Sequence, residues 1–178
     1  EGHGHGLYVH IPYCQTKCGY CNLFSVTGQN QETIQRYLDT LRRQSIQYQQ
    51  LLKNIGTQFG EVVIGGGTPL CLTQNQLEQM FAMLADCFRF SKDREMIIET
   101  APNQTDEGKL RILKQAGVTR VSMGIQSFHD KELRALGRAH CAEAARNALH
   151  LVKGTGFACV NTDFIYGIPG QTIQSLLE

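Results

Sequence analysis

The sequence predicts an α/β fold, a partial (β/α) barrel built on a parallel sheet, and three observations carry that prediction. Short apolar, β-branched runs alternate with amphipathic helical stretches along nearly the whole chain. Loops rich in cysteine or glycine fall directly after the first two apolar runs, at strand ends where α/β folds place their chemistry. The 178 residues suffice for one domain but fall short of the about 250 of a complete eight-unit barrel.

Residues 7–11 form the first predicted strand. Residues 31–55 carry Ile34, Tyr37, Leu38, Leu41, Tyr48, Leu51, Leu52 and Ile55 at helical spacing, which predicts a long helix laying one stripe on the sheet and ending at Gly56. Residues 61–64 are a β-branched strand that runs into Gly65-Gly66-Gly67-Thr68-Pro69. The next helix opens at Thr73, with Gln76 placed as in a capping box, and buries Leu77, Met80, Phe81 and Leu84. Residues 95–99 read as the third strand, 106–116 as a helix and 120–123 as the fourth strand. Helical sequence follows around 130–136 and 141–153, and residues 157–165 form the fifth strand. Another helix begins at 175–178, so about five βα units are expected, the last one cut. Residues 7–178 are therefore expected to be the N-terminal part of a core domain whose C-terminal part is missing, because a parallel sheet that stops there has an uncovered edge. Residues 1–6, a glycine-diluted pair of histidines, read as a disordered start or a cloning remnant.

The formal charge is +1 and the basic residues are spread along the chain, so no field is built to attract nucleic acid. No apolar run approaches the roughly 18 to 20 residues of a membrane span, and the start lacks the regions of a signal peptide. A soluble cytoplasmic protein is expected. Of seven cysteines, Cys71, Cys87, Cys141 and Cys159 are scattered singly, unlike a disulfide framework, and read as core or inert thiols.

The other three form Cys14-Gln-Thr-Lys-Cys18-Gly-Tyr-Cys21, on the loop after the first strand. Three soft thiolates on one short loop suit three irons of a 4Fe-4S cube, and the fourth iron then stays open for a substrate or cofactor. The competing reading is a Cys3His zinc knuckle that uses His10 or another histidine, disfavoured because no second cysteine pair follows and His10 lies on the strand. Glu99 ends an apolar strand, where a carboxylate facing the core is costly without a partner, so a polar pocket is expected at that end.

The C-x3-C-x2-C spacing, with Tyr20 before the last cysteine, resembles the radical S-adenosylmethionine (SAM) superfamily. Leu7-Tyr-Val-His-Ile-Pro12, Ile64-Gly-Gly-Gly-Thr-Pro69, Ile98-Glu99, Arg120-Val-Ser-Met-Gly-Ile-Gln-Ser-Phe128, Leu136-Gly-Arg-Ala-His140 and Asp163-Phe-Ile-Tyr-Gly-Ile-Pro-Gly-Gln-Thr172 narrow the likeness. Together they resemble the oxygen-independent coproporphyrinogen III oxidase-like family, which includes decarboxylating enzymes and HemW-like heme chaperones.

The resemblance implies a radical SAM oxidoreductase in tetrapyrrole or heme metabolism: a 4Fe-4S cluster on Cys14, Cys18 and Cys21 splits SAM, and the 5'-deoxyadenosyl radical abstracts hydrogen from a substrate. It further implies that the turn containing Gly66 and Gly67 holds the amino acid end of SAM, and that Tyr8 and Glu99 bind it. In the decarboxylating enzyme the positions of Tyr20, Gly67, Thr68, Gln126, Arg138 and Asp163 line a second SAM site. Pairing of Arg138 with Asp163 as structural ions is the plainer alternative. In a chaperone, heme would be a further ligand; His129 and His140 could reach its iron, although lone histidines near helix ends are more often exposed or capping groups. The implied partners are a tetrapyrrole-like small molecule or heme and an electron donor such as flavodoxin or ferredoxin. One departure stands out: the decarboxylating oxidases typically carry another cysteine two residues after the third ligand, where this chain has Leu23. The continuation Asn22-Leu-Phe-Ser25 looks more like the chaperone-type and unassigned branches.

Overall fold

The computed structural model of the protein describes residues 5–177. Strand β1 (His5–Ile11) begins two residues before the predicted start, so His5 and Gly6 belong to the sheet and not to a disordered leader. Residues 1–4 of that expected leader lie outside the described residues. β2 (Phe59–Gly66), β3 (Phe90–Thr100), β4 (Arg120–Gln126) and β5 (Cys159–Phe164) follow, all parallel and in the order β1-β2-β3-β4-β5. β1 and β5 are the two edges, so the sheet is unclosed and the fold is a partial α/β barrel.

The helices are α1 (Gln31–Leu52), α2 (Gln74–Cys87), α3 (Glu107–Gln115), α4 (Asp130–Ala135), α5 (Ala142–Gly154) and α6 (Ile173–Leu177). Side-chain caps start three of them, the one at Thr73 as expected. Asn30 accepts a hydrogen bond from the Thr33 amide at 2.8 Å, Asp106 accepts one from Lys109 at 2.9 Å, and Thr73 with Gln76 forms the full capping box. Short 3-10 turns at Pro69–Cys71 and Pro102–Gln104 bend the chain out of β2 and β3.

Alternation along the strands separates two faces of the sheet. Val9, Ile11, Val62, Ile64, Met96, Ile98, Val121, Met123 and Ile125 are buried and share one core with Leu77 and Leu84 of α2, Leu110 and Leu113 of α3 and Ala145 and Val152 of α5. The alternate positions carry Tyr8, His10, Glu99, Arg120, Ser122, Asn161 and Asp163. This polar second face is the inside of the partial barrel.

One expected stripe is corrected. In α1, Ile34 and Leu38 are buried, but Tyr48 and Leu51 are 51 % and 70 % exposed, and Ile55, which falls beyond the end of the helix at Leu52 rather than within it, is 69 % exposed. The end of the helix is nevertheless packed: Leu52 is partly buried against the core and Gln49 Nε2 donates to Asp86 O at 2.8 Å, so Tyr48 and Leu51 face outward beside it. Strand β3 also starts earlier than predicted, because polar Ser91 to Arg94 conceal a segment that the pairing of Phe59 with Phe90 draws into the sheet.

Candidate functional site

The carboxyl ends of the strands surround a cavity of about 220 Å³. All three loop cysteines line it, as do Tyr20, Gly66, Gly67, Thr68, Glu99, Gln126, Arg138 and Asp163. Tyr8 does not; it is 59 % exposed on the inner face of β1, with its hydroxyl 3.0 Å from His10 Nδ1. A larger cavity of about 500 Å³ lies at the opposite end of the strands, beside Gln49, Lys53, Phe59, Asp86 and Arg89. It contains none of the candidate cluster- or SAM-binding residues, so volume alone does not locate the chemistry.

The cysteine loop is anchored along its length. The Cys14 amide donates to Val26 O at 3.0 Å and the Gly19 amide to Leu136 O at 3.1 Å. Gln15 Oε1 accepts from Asn103 at 2.6 Å and from Gln104 at 2.8 Å, which ties the loop to the turn after β3. The sulfurs meet donors: Thr68 Oγ1 lies 3.7 Å from Cys14 Sγ, and Arg138 Nη1 donates to Cys18 Sγ at 3.1 Å. Polar and cationic contacts of this kind are what orient sulfur ligands around a metal centre. Among the described residues no three His, Cys, Asp or Glu side chains converge on a single ion. The three thiols all line the same cavity.

The glycine turn after β2 is a cradle with no spare room. Gly66 has φ 116°, and a Cβ there would sit 2.7 Å from the His10 ring. A Cβ on Gly67 would sit 2.5 Å from Tyr13 O and 3.0 Å from Cys14 Sγ. Only glycine lets the turn approach the cysteine loop this closely.

Glu99 lies across Gly65 and accepts from the Gly66 amide at 3.1 Å. Burial raises its pKa; the Gly66 N–H opposes this, the Asp163 charge adds to it and His10 opposes it. A carboxylate with a raised folded pKa costs stability above that pKa, and the cost fades as the pH falls through it toward the unfolded value. Glu99→Gln is therefore expected to raise the melting temperature of the ligand-free protein at neutral pH, with the gain shrinking in mild acid, as thermal melts at the two pH values will show. Such trade of stability for a poised charge is usual at binding sites.

Arg138 and Asp163 are not ion-paired with one another. Arg138 Nη2 donates to Gly124 O at 2.6 Å and Nη1 approaches Tyr20 OH at 3.4 Å, while its Nε is buried without a partner. Asp163 instead accepts from Asn161 Nδ2 at 2.8 Å and Ser122 Oγ at 3.4 Å. Ser122 and Asn161 were missed from the sequence, although their alternation with Asp163's strand partners is the signal that places them on the inner face. His140, expected to be exposed or capping, is buried with Nε2 3.1 Å from Ile125 O. Burial and the Arg138 charge depress its pKa, so it is held as the neutral ring.

A family model described as the Radical SAM superfamily matches residues 8–178. The chain belongs to the radical SAM superfamily. More particularly, it is 34% identical over 170 residues to the heme chaperone HemW of Bacillus subtilis (strain 168), covering 95% of this chain and 44% of that one. It is 32% identical over 169 residues to the oxygen-independent coproporphyrinogen III oxidase of Escherichia coli (strain K12), covering 95% and 36%. The solved structure of coproporphyrinogen III oxidase (HemN) from Escherichia coli, a radical SAM enzyme, superposes with a TM-score of 0.88 at 32% identity, over 97% of this chain and 39% of that one. The chain thus spans less than half the length of these relatives. Among the described residues no helix is long and apolar enough to cross a membrane.

Proposed function

We propose that this cavity binds a 4Fe-4S cluster and SAM, and that the protein is a radical SAM oxidoreductase of the HemN/HemW-like kind acting on a tetrapyrrole or related small molecule. The observation that carries the reading is the meeting of Cys14, Cys18 and Cys21 with the Gly66–Gly67 turn and Glu99 on one wall-to-wall cavity. When bound, the pair supplies an electron to the sulfonium and a 5'-deoxyadenosyl radical for hydrogen abstraction. Cys14, Cys18 and Cys21 hold three irons, and Arg138 and Thr68 steady two of the sulfurs. The tight glycine turn gives a ligand's polar end access to backbone groups, with Glu99 as acceptor for an amine. Gln126, Arg138 and Asp163 line the far side and orient the rest. The electron comes from a partner such as flavodoxin or ferredoxin.

Anaerobic reconstitution followed by electron paramagnetic resonance with and without SAM tests this. A signal of the reduced cluster that shifts on adding SAM is expected. A fully loaded protein whose signal ignores SAM removes the reading, and zinc without labile sulfide removes the cluster itself.

A second reading is favoured by Leu23, 53 % exposed on the cavity rim where the decarboxylating relatives carry a cysteine, together with the similarity to HemW. In this reading the scaffold binds and transfers heme. Heme titration of the protein is expected to give stoichiometric uptake with a Soret band, and no uptake overturns it.

A further inference from the structure

The β4 and β5 ends of the site are held by a group that none of the chemistry above uses. Glu132, on α4, is 5 % exposed, and its carboxylate is fully engaged. Oε2 accepts from Ser127 Oγ at 2.6 Å and from Gln171 Nε2 at 3.0 Å, and Oε1 accepts from Ser175 Oγ at 2.6 Å. Gln171 carries the connection onward, since its Oε1 accepts from the Gly167 amide at 2.7 Å and the Ile168 amide at 3.3 Å. Ser127 Oγ in turn accepts from the His129 amide at 2.9 Å. One buried anion thus fastens the segment after β5 to the turn after β4.

The residue beside that turn is strained. Gln126 has φ 74°, the only non-glycine in the left-handed region among the described residues. It lies at a shift of the β4–β5 register, its carbonyl accepts from the Ile165 amide at 3.0 Å, and its side chain folds over Gly124 toward Arg138. A bulky residue stays in that conformation only when its surroundings over-determine it. Both neighbours that confine it, Ser127 on one side and the segment starting at Ile165 on the other, run to Glu132.

We infer that Glu132 is a positioning residue: its carboxylate latches residues 165–175 to the turn at 126–129 and thereby keeps Gln126 in its strained conformation with its side chain in the cavity. A carboxylate suits the task because it only accepts, and its bonding partners here all donate. Burial acts to raise its pKa, and the bonds from Ser127, Ser175 and Gln171 outweigh this and bring it below the ordinary range. Its consequence for SAM rests on the proposed function, whereas the latch itself does not.

The test compares Glu132→Ala with Leu110→Ala, a core truncation on α3, by amide hydrogen exchange at matched global stability. Glu132→Ala is expected to speed exchange about tenfold or more in residues 127–129 and 165–175 together, relative to β1–β3, and Leu110→Ala is not. Acceleration spread evenly over the sheet, or in one segment alone, overturns the latch. A double-mutant cycle reads the strain: Gln126→Gly raises the melting temperature of the wild type but not of Glu132→Ala. An equal gain in both backgrounds shows that Glu132 does not confine Gln126. In the reconstituted protein, SAM affinity falls about tenfold in Glu132→Ala and in Gln126→Ala. Wild-type affinity in Glu132→Ala overturns positioning, while failure of the wild type to bind SAM overturns the proposed function and leaves exchange and the cycle to decide the latch.

Discussion

Replacing any one of Cys14, Cys18 or Cys21 by alanine is expected to collapse the reconstituted metal content from about four irons and four sulfides to near zero. Each thiol comes from one anchored loop and faces the same cavity, so no spare ligand lies in line to take over. Cys71 is the one other thiol close to Cys14, and burial, with the Cys14 charge adding, pushes its pKa to about 12. It stays a neutral thiol and a poor ligand. Cys71→Ala and Cys159→Ala are therefore expected to keep full iron and sulfide. Colorimetric iron and sulfide assays after anaerobic loading decide the matter. Full loading of Cys14→Ala, or loss of iron in Cys159→Ala, would show that the ligand set is wrong.

Gly67→Ala is expected to destabilise the protein by about 1–3 kcal/mol and to impair loading of the cluster in the same step. The atoms that the new methyl would strike are mostly backbone, Tyr13 C and O, and these are pinned. The Gly67 amide donates to Ile11 O and the Thr68 amide to Tyr13 O, both at 2.8 Å. Relief requires the two loops to part, and Cys14 moves with them. Gly154→Ala is the control, since a Cβ there meets nothing within 4 Å and replaces glycine in the last turn of α5. It is expected to be neutral or stabilising by up to about 1 kcal/mol. Urea unfolding with a parallel iron assay measures both. A Gly67→Ala protein as stable and as iron-rich as the wild type would mean that the cradle has slack.

How much of this could be read in advance depends on the range of the interactions concerned. Thr73 with Gln76 and the β-branched runs of β2 and β4 act locally, so their elements are visible in composition. The cysteine loop and the glycine turn are visible for the same reason. They announce special backbone or soft ligands within a few residues. What escaped is set by tertiary structure. The polar start of β3 is strand only because β2 lies beside it, and Tyr48 and Leu51 of α1 are exposed although they share the helical spacing of its buried residues. Within the site, Gln15 matters because Asn103 and Gln104, 88 and 89 residues away, fold onto it. Glu132 reads in sequence as one more surface helix charge, and it is the bonds to Gln171 and Ser175, 39 and 43 residues later, that make it a buried hub.

The hydrogen bond from Arg138 to Cys18 spans 120 residues, and the strictly sequential strand order makes that separation a matter of timing. A ribosome adding about 5–20 residues per second delivers the thiols first and the guanidinium on the order of ten seconds later. During that interval the cysteines have neither their arginine nor, at the outset, the glycine turn that backs them. The nascent chain thus presents these three thiols before it has made the groups that surround them. Expression in the absence of oxygen, followed by metal loading only after release, matches the order in which the molecule is built.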